Sequence, residues 1–216
     1  MIGDTIEIGD LHLKTAALLF EEINKNQKLN SKQNKIAIGI AGESGCGKTI
    51  TAFALQKFLE EKWIHSAVLQ QDDYFILPPK TNHENRLKNI ENVGLQEVNF
   101  EAIEKNFKDF KNNCSAITKP LVHYKENKIS TEIIDLKKVN VLIIEGTYIL
   151  NLKGLDFTVF IDRNYKDTYE NRMLRNRDVQ SDFVENVLEI EHQIIKTFKS
   201  KADVILDVYY QILPKN

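Results

Sequence analysis

Five short runs of branched and aromatic residues punctuate the chain: Ile36–Ile40 (IAIGI), 67–70 (AVLQ), 141–144 (VLII), 157–161 (FTVFI) and 203–206 (DVIL). Each is nearly continuous rather than alternating, which is how strands buried on both faces read. Between them the apolar positions change to helical spacing. Residues 11–25 carry Leu11, Leu18, Leu19 and Ile23 behind Asp10 as N-cap. Residues 49–62 put Ile50, Phe53, Ala54, Phe58 and Leu59 on one face, and 99–110 do the same with Phe100, Ile103, Phe107 and Phe110. A last helix is expected over 182–198, capped by Ser181. Strands alternating with helices predict an α/β fold, with about five parallel strands flanked by helices. One stretch differs: LVHYKENKISTEII (121–134) alternates around Glu126-Asn127, predicting a hairpin over 121–135 that projects from the sheet. The polar run NKNQKLNSKQNK (24–35) sets off residues 1–35 as an N-terminal extension of a single domain, 1–216.

Composition narrows the function classes. The 216 residues are 42% hydrophobic, enough for a full core. A net charge of −2 leaves no global basic field for nucleic acid or an anionic membrane. The two cysteines, Cys46 and Cys114, match no zinc spacing and offer no disulfide framework, which points to a reducing compartment. No apolar run approaches the roughly 18 residues of a membrane helix, and MIGDTIEIGD has no basic-then-apolar order. A soluble, cytoplasmic protein is expected, with neither nucleic acid nor membrane as partner.

The chemistry enters at AGESGCGKT. Three of nine glycines fall between positions 42 and 47, directly after the first strand and directly before a helix. Gly42-Glu43-Ser44-Gly45-Cys46-Gly47-Lys48-Thr49 satisfies the phosphate-binding loop pattern in full. Glycines let backbone N–H groups curl around a polyphosphate, and the helix that follows aims its free N–H groups at the same anion. Lys48 is expected to reach the β/γ-phosphates and the Thr49 hydroxyl to ligate Mg²⁺. Residues 42–50, Ile50 included, form the expected nucleotide site. A guanine-specific switch is disfavoured: no Asp is followed three residues later by Gly, and Asn127-Lys128-Ile129-Ser130 lacks the aspartate of NKxD.

Three further segments fit a small phosphotransferase. The strand 67–70 runs into Gln71-Asp72-Asp73-Tyr74-Phe75, whose carboxylates could accept a proton from an attacking hydroxyl, though a polar turn would read the same. VLIIEG (141–146) ends a buried strand in Glu145, placed to hold Mg²⁺ through water or to face solvent. ENRMLRNRD (170–178) crowds Arg172, Arg175 and Arg177, a phosphoryl clamp or a solvated helix.

Taken in order, GESGCGKT, QDDYF, IIEG and RMLRNRD resemble the uridine kinase/phosphoribulokinase family, over about residues 36–207. Members typically show a phosphate loop, a strand ending in a QDSFY-like run, a VEG strand and an Arg-rich lid. The resemblance implies a P-loop NTPase fold and ATP–Mg²⁺-dependent phosphorylation of a small-molecule hydroxyl, most often the 5′-OH of uridine or cytidine. It implies Asp72 as catalytic base, Lys48 on the phosphates, and Arg172, Arg175 and Arg177 in a lid over 165–180. It further implies Thr49, Asp72 and Glu145 around the metal, and Asp72, Tyr74, His123, Tyr124 and Asn127 facing the acceptor. Family members are often dimers or tetramers, so a homo-oligomer is compatible. The hairpin departs from the family: PLVHYKENKI (120–129) has Val122 where a tyrosine stands and Asn127 where a histidine stands. Another sugar or phosphosugar alcohol is therefore the alternative acceptor, and a nucleotide-binding regulator without turnover is the rival from another class.

Overall fold

The computed structural model describes residues 6–27, 29, 34–174 and 181–214. Five strands form one parallel sheet: β1 (Ile36–Gly42), β2 (Ser66–Gln70), β5 (Val141–Glu145), β6 (Phe157–Ile161) and β7 (Val204–Leu206), in the order β2-β5-β1-β6-β7. β1 lies at the centre, paired with β5 and β6, and all seven of its residues are buried. The period of two in a strand divides its side chains between two cores. Ile36, Ile38 and Ile40 join Leu55 and Leu59 of α2 (Lys48–Glu61) and Leu19 and Ile23 of α1 (Asp10–Gln27). Ala37 and Ala41 face the opposite layer, with Ile103, Phe107 and Phe110 of α4 (Phe100–Lys111) and Ile195 of α6 (Asp182–Ile195). Each fully buried Leu, Ile or Phe contributes roughly 1.5–3 kcal/mol, so both layers are held chiefly by apolar burial.

All five expected strands form, within two residues at each end. The helices needed more adjustment. In α1 the buried positions are Thr15, Ala16, Leu19 and Ile23, whereas Leu11 and Leu18 are exposed. That stripe follows the i, i+4, i+8 rows pressed on α2, and Leu18 lies a third of a turn away from it. Asp10 is the first helical residue rather than the cap; the Gly9 carbonyl accepts from the N–H groups of His12 and Leu13. In α2, Leu55 takes the innermost place, while Ile50, Phe53 and Phe58 are half-buried. Phe58 meets Phe20 of α1 at a ring separation of 5.4 Å, so part of the expected core face is a helix–helix seam. α6 ends at Ile195 and tightens into a 3₁₀ turn over Lys196–Lys201; Ser181 caps its start by accepting from the Val184 N–H at 3.3 Å.

The hairpin is β3 (Ala116–His123) with β4 (Lys128–Asp135), a separate antiparallel pair that begins five residues earlier than expected. The alternation is broken by Lys119, a lysine turned inward and 3% exposed, which disguises the first half of the strand. The remaining α-helices among the described residues are α3 (Pro79–Lys88) and α5 (Tyr169–Leu174). α3 buries only Asn82, so it leaves no hydrophobic period to read. No helix among the described residues is long and apolar enough to cross a membrane.

Candidate active site

The sheet brings the sequence motifs to one edge. The glycine-rich loop leaves the carboxyl end of β1, the 3₁₀ turn Gln71–Tyr74 leaves β2, and Glu145 ends β5 between them. Register fixes this: Glu145 pairs with Ile40 of β1 on one side and Gln70 of β2 on the other. Ligands of open parallel sheets bind outside these strand ends. A cleft of about 810 Å³ opens there, lined by Ser44, Gly45, Gly47, Lys48 and Thr49 of the loop together with Asp72, Glu145 and Arg172.

The loop has the geometry of an anion cradle. Gly45 and Gly47 sit at φ +75° and +99°, left-handed values that L side chains adopt at a cost. A Cβ at Gly45 would also come within 2.8 Å of Arg172 Cγ, and one at Gly47 would run into the Tyr210 hydroxyl. α2 starts with no side-chain cap, so its first N–H groups remain available to an anion. Lys48 Nζ folds back onto the Glu43 carbonyl at 3.0 Å. Cys46 points inward and is fully buried, and burial raises its thiol pKa, so it serves packing rather than chemistry.

The acidic residues divide by environment. Glu145 is 4% exposed and accepts from the Thr49 hydroxyl at 2.8 Å and from Gln70 Nε2 at 3.2 Å. Burial raises its pKa first and the nearby Asp72 carboxylate raises it further, with Lys48 opposing. A hydroxyl and two neighbouring carboxylates are hard oxygen donors of the kind Mg²⁺ takes alongside phosphate oxygens and water. Asp73 is spent on structure. Its Oδ2 accepts from Lys119 Nζ at 2.6 Å and its Oδ1 from the Val122 N–H at 2.9 Å, with both side chains at most 3% exposed. Asp72 makes no hydrogen bond to another described residue and faces the cleft.

Arg172, 2% exposed, packs its stem on Gly45 while Nη2 donates to the Tyr165 carbonyl at 3.3 Å and lies 3.7 Å from Glu185. Its Nε and Nη1 are buried and have no hydrogen-bond partner among the described residues, which leaves the guanidinium under-paired beside the loop. Arg175 and Arg177 lie outside the described residues. Glu43 takes a role its position in the motif did not suggest. Its carboxylate accepts from the Tyr165 N–H at 2.7 Å and lies 2.6 Å from His192 Nδ1, tying the loop to α6.

Three residues expected at the acceptor fall elsewhere. Tyr74 is 1% exposed and bonds Asn106 Oδ1 at 2.9 Å, turned inward because the 3₁₀ turn puts it in the α4 core. His123 pairs across the hairpin with Ser130 Oγ at 2.7 Å and does not line the cleft. Asn127 sits at φ +48° in the hairpin turn, where its Oδ1 accepts from the Lys80 N–H at 2.8 Å. It thus supplies the cap that Pro78 cannot give α3. Asn127→Ala is expected to cost about 0.5–2 kcal/mol, read as a lower urea midpoint. Only Tyr124 of the hairpin group borders the cleft, next to Val122. Among the residues missed from sequence are the polar Asn82, His83 and Arg86 on α3 and Glu191 on α6, all of which border it. Pro79 at the first helical position and Arg86 with Lys88 in the last turn were the only sequence signals for α3.

The model of the phosphoribulokinase/uridine kinase family matches residues 37–210, spanning the sheet and every segment around the cleft. The chain belongs to this family. It is therefore a kinase, and membership implies use of ATP, typically with Mg²⁺. It is 30% identical over 208 residues to a bifunctional alpha-galactosidase/sucrose kinase, AgaSK, from Mediterraneibacter gnavus; the match covers 90% of this chain and 22% of that relative's length. It is 28% identical over 191 residues to a uridine kinase from Ligilactobacillus salivarius, covering 82% of this chain and 87% of the other. Among solved structures, a D-glycerate 3-kinase from Cryptococcus neoformans superposes with a TM-score of 0.63 at 12% identity, covering 96% of this chain and 99% of that one. That last likeness is one of fold. Family members act on different acceptors.

Proposed function

We propose that this kinase transfers the γ-phosphoryl of ATP to a hydroxyl of a small molecule held in the cleft, with Asp72 accepting the hydroxyl proton. The observation that carries the proposal is the division within Gln71-Asp72-Asp73: Asp73 is locked to Lys119, while Asp72 faces the cleft beside Glu145 and the loop. Lys48, the loop N–H groups and the under-paired guanidinium of Arg172 hold the phosphates, supported by Arg175 and Arg177. Thr49 would hold Mg²⁺ directly, with Asp72 and Glu145 on its waters. The ion, when bound, neutralises charge on the transferring phosphoryl. A carboxylate within hydrogen-bond reach of an attacking hydroxyl is typically worth about 10²–10⁴ in rate.

For the acceptor, the 5′-OH of a pyrimidine nucleoside is the reading that uridine kinase relatives support. A sugar hydroxyl is the second reading, favoured because His123 and Asn127 are committed to the hairpin and α3 rather than to a base. A coupled assay of ADP formation against nucleosides and sugars tests both. Acceptor-dependent ADP formation is expected. ATP binding with no acceptor-dependent turnover on the whole panel would instead identify a nucleotide-binding regulator.

A further inference from the structure

The cleft contains a charged group that phosphoryl transfer does not require. Arg86, on α3, forms a two-pronged pair with Glu97: Nε to Oε1 at 2.5 Å and Nη2 to Oε2 at 2.9 Å. Nη2 is shared with Glu191 Oε1 on α6 at 3.0 Å. Glu97 is saturated, because Asn82 Nδ2 and the Gly94 N–H also donate to it, each at 2.8 Å. Glu97 is 2% exposed and Arg86 and Glu191 only 16% and 12%, yet the last two border the cleft. Arg86 Nη1 and Glu191 Oε2 make no hydrogen bond to another described residue. A donor and an acceptor thus stand on two paired residues that border the cleft, as does Phe183, which meets the exposed His83 edge-on at 5.7 Å.

Desolvated polar groups of this kind stay favourable only when paired, and a hydroxyl, which donates and accepts, can pair with both. The charge balance points the same way. One guanidinium between two carboxylates leaves the group net negative, and Glu84 on α3 also borders the cleft. Burial already raises the Glu191 pKa, with Glu97 adding and Arg86 opposing. A further anion in the same space would be repelled at low effective dielectric. The other cations bordering the cleft among the described residues are Lys48 and Arg172 at the loop and Lys80 on the exposed rim.

We infer that Arg86 and Glu191 form the acceptor-reading pair, and that they select an uncharged polyhydroxy acceptor, a sugar or the ribose of a nucleoside, over a sugar phosphate or a sugar acid. This rests on the kinase reading above and narrows its substrate class. It sets aside the phosphosugar among the acceptors the sequence left open.

The test compares pentoses, hexoses, sucrose and nucleosides with ribose 5-phosphate and D-glycerate, in wild type, Glu191→Gln and Arg86→Lys. Wild type is expected to phosphorylate a neutral member and neither anion. Glu191→Gln removes the charge but keeps a partner for Arg86; the acceptor KM should rise about tenfold or more while the ATP KM stays within about twofold. Arg86→Lys keeps the cation its carboxylates need and loses the fork, and should show the same split if the first variant folds poorly. A merely structural role would instead lower the melting temperature and leave the acceptor KM alone in variants that fold. Phosphorylation of ribose 5-phosphate or D-glycerate at least as efficient as of every neutral member would overturn the inference and leave the kinase reading standing. So would an unchanged acceptor KM in both variants. No acceptor-dependent turnover on any member, with ATP bound, would overturn both.

Discussion

Lys48→Ala is expected to lower turnover by about 10²–10³-fold, because charge-assisted contacts made to a transferring phosphoryl are of that worth. The melting temperature should barely move. The ammonium's one described hydrogen bond, to the Glu43 carbonyl, lies on a half-buried side chain and can be replaced by water, while the Glu145 pKa, already raised, would rise further without the lysine. The loss should fall on kcat as well as on ATP affinity, since the proposed role of Lys48 is on phosphates whose charge redistributes during transfer. The loop itself is left intact: the positive φ values at Gly45 and Gly47 and the uncapped start of α2 do not depend on the lysine. Near-normal turnover in this variant would end the assignment of the loop to the phosphates.

What sequence could and could not show follows from which interactions are local. The five strands and the phosphate loop were legible because their signals lie within a few consecutive residues: continuous branched runs, and glycines at fixed spacing before Lys48. The Ser181 cap was legible for the same reason. Pairings between distant segments were not. Lys119 reads as an outward residue on a strand, and its inward turn is decided by Asp73, 46 positions away in sequence. The Glu43–His192 contact spans 149 positions, and Arg86–Glu191 spans 105. The alternation around Glu126-Asn127 marked the hairpin turn, where Asn127 does sit at positive φ; its contact with the start of α3 joins segments 47 positions apart and leaves no local signal. The α3–α6 wall of the cleft is built mostly from such contacts, and the opposite wall mostly from one contiguous loop. The loop was therefore readable in sequence and the α3–α6 wall was not.

The adjacent aspartates give the sharpest separation of chemistry from structure. Asp72→Asn is nearly isosteric, makes no change to any hydrogen bond between described residues, and removes a carboxylate that raises the pKa of Glu145. It should fold normally and bind ATP. Phosphoryl transfer should nonetheless fall by about 10²–10⁴-fold, the worth of a positioned proton acceptor. Asp73→Asn should do the reverse. Its carboxylate is the buried partner of Lys119, so neutralising it leaves an ammonium at 3% exposure opposed, among the described residues, by Glu132 at 2.8 Å, the Pro120 carbonyl and the face of the Tyr74 ring at 6.0 Å. Removing one member of a buried pair typically costs about 3–5 kcal/mol, and the amide oxygen can still accept from the Val122 N–H, which favours the lower end. Asp73→Asn should be mild in kcat for the molecules that fold, and severe in denaturant midpoint. Measuring turnover and urea unfolding on both variants tests the pair together, because a general loss of negative charge at the cleft would affect them alike. If Asp73→Asn abolished turnover at unchanged stability while Asp72→Asn stayed active, the proton acceptor would be Asp73 and the division drawn here would be reversed.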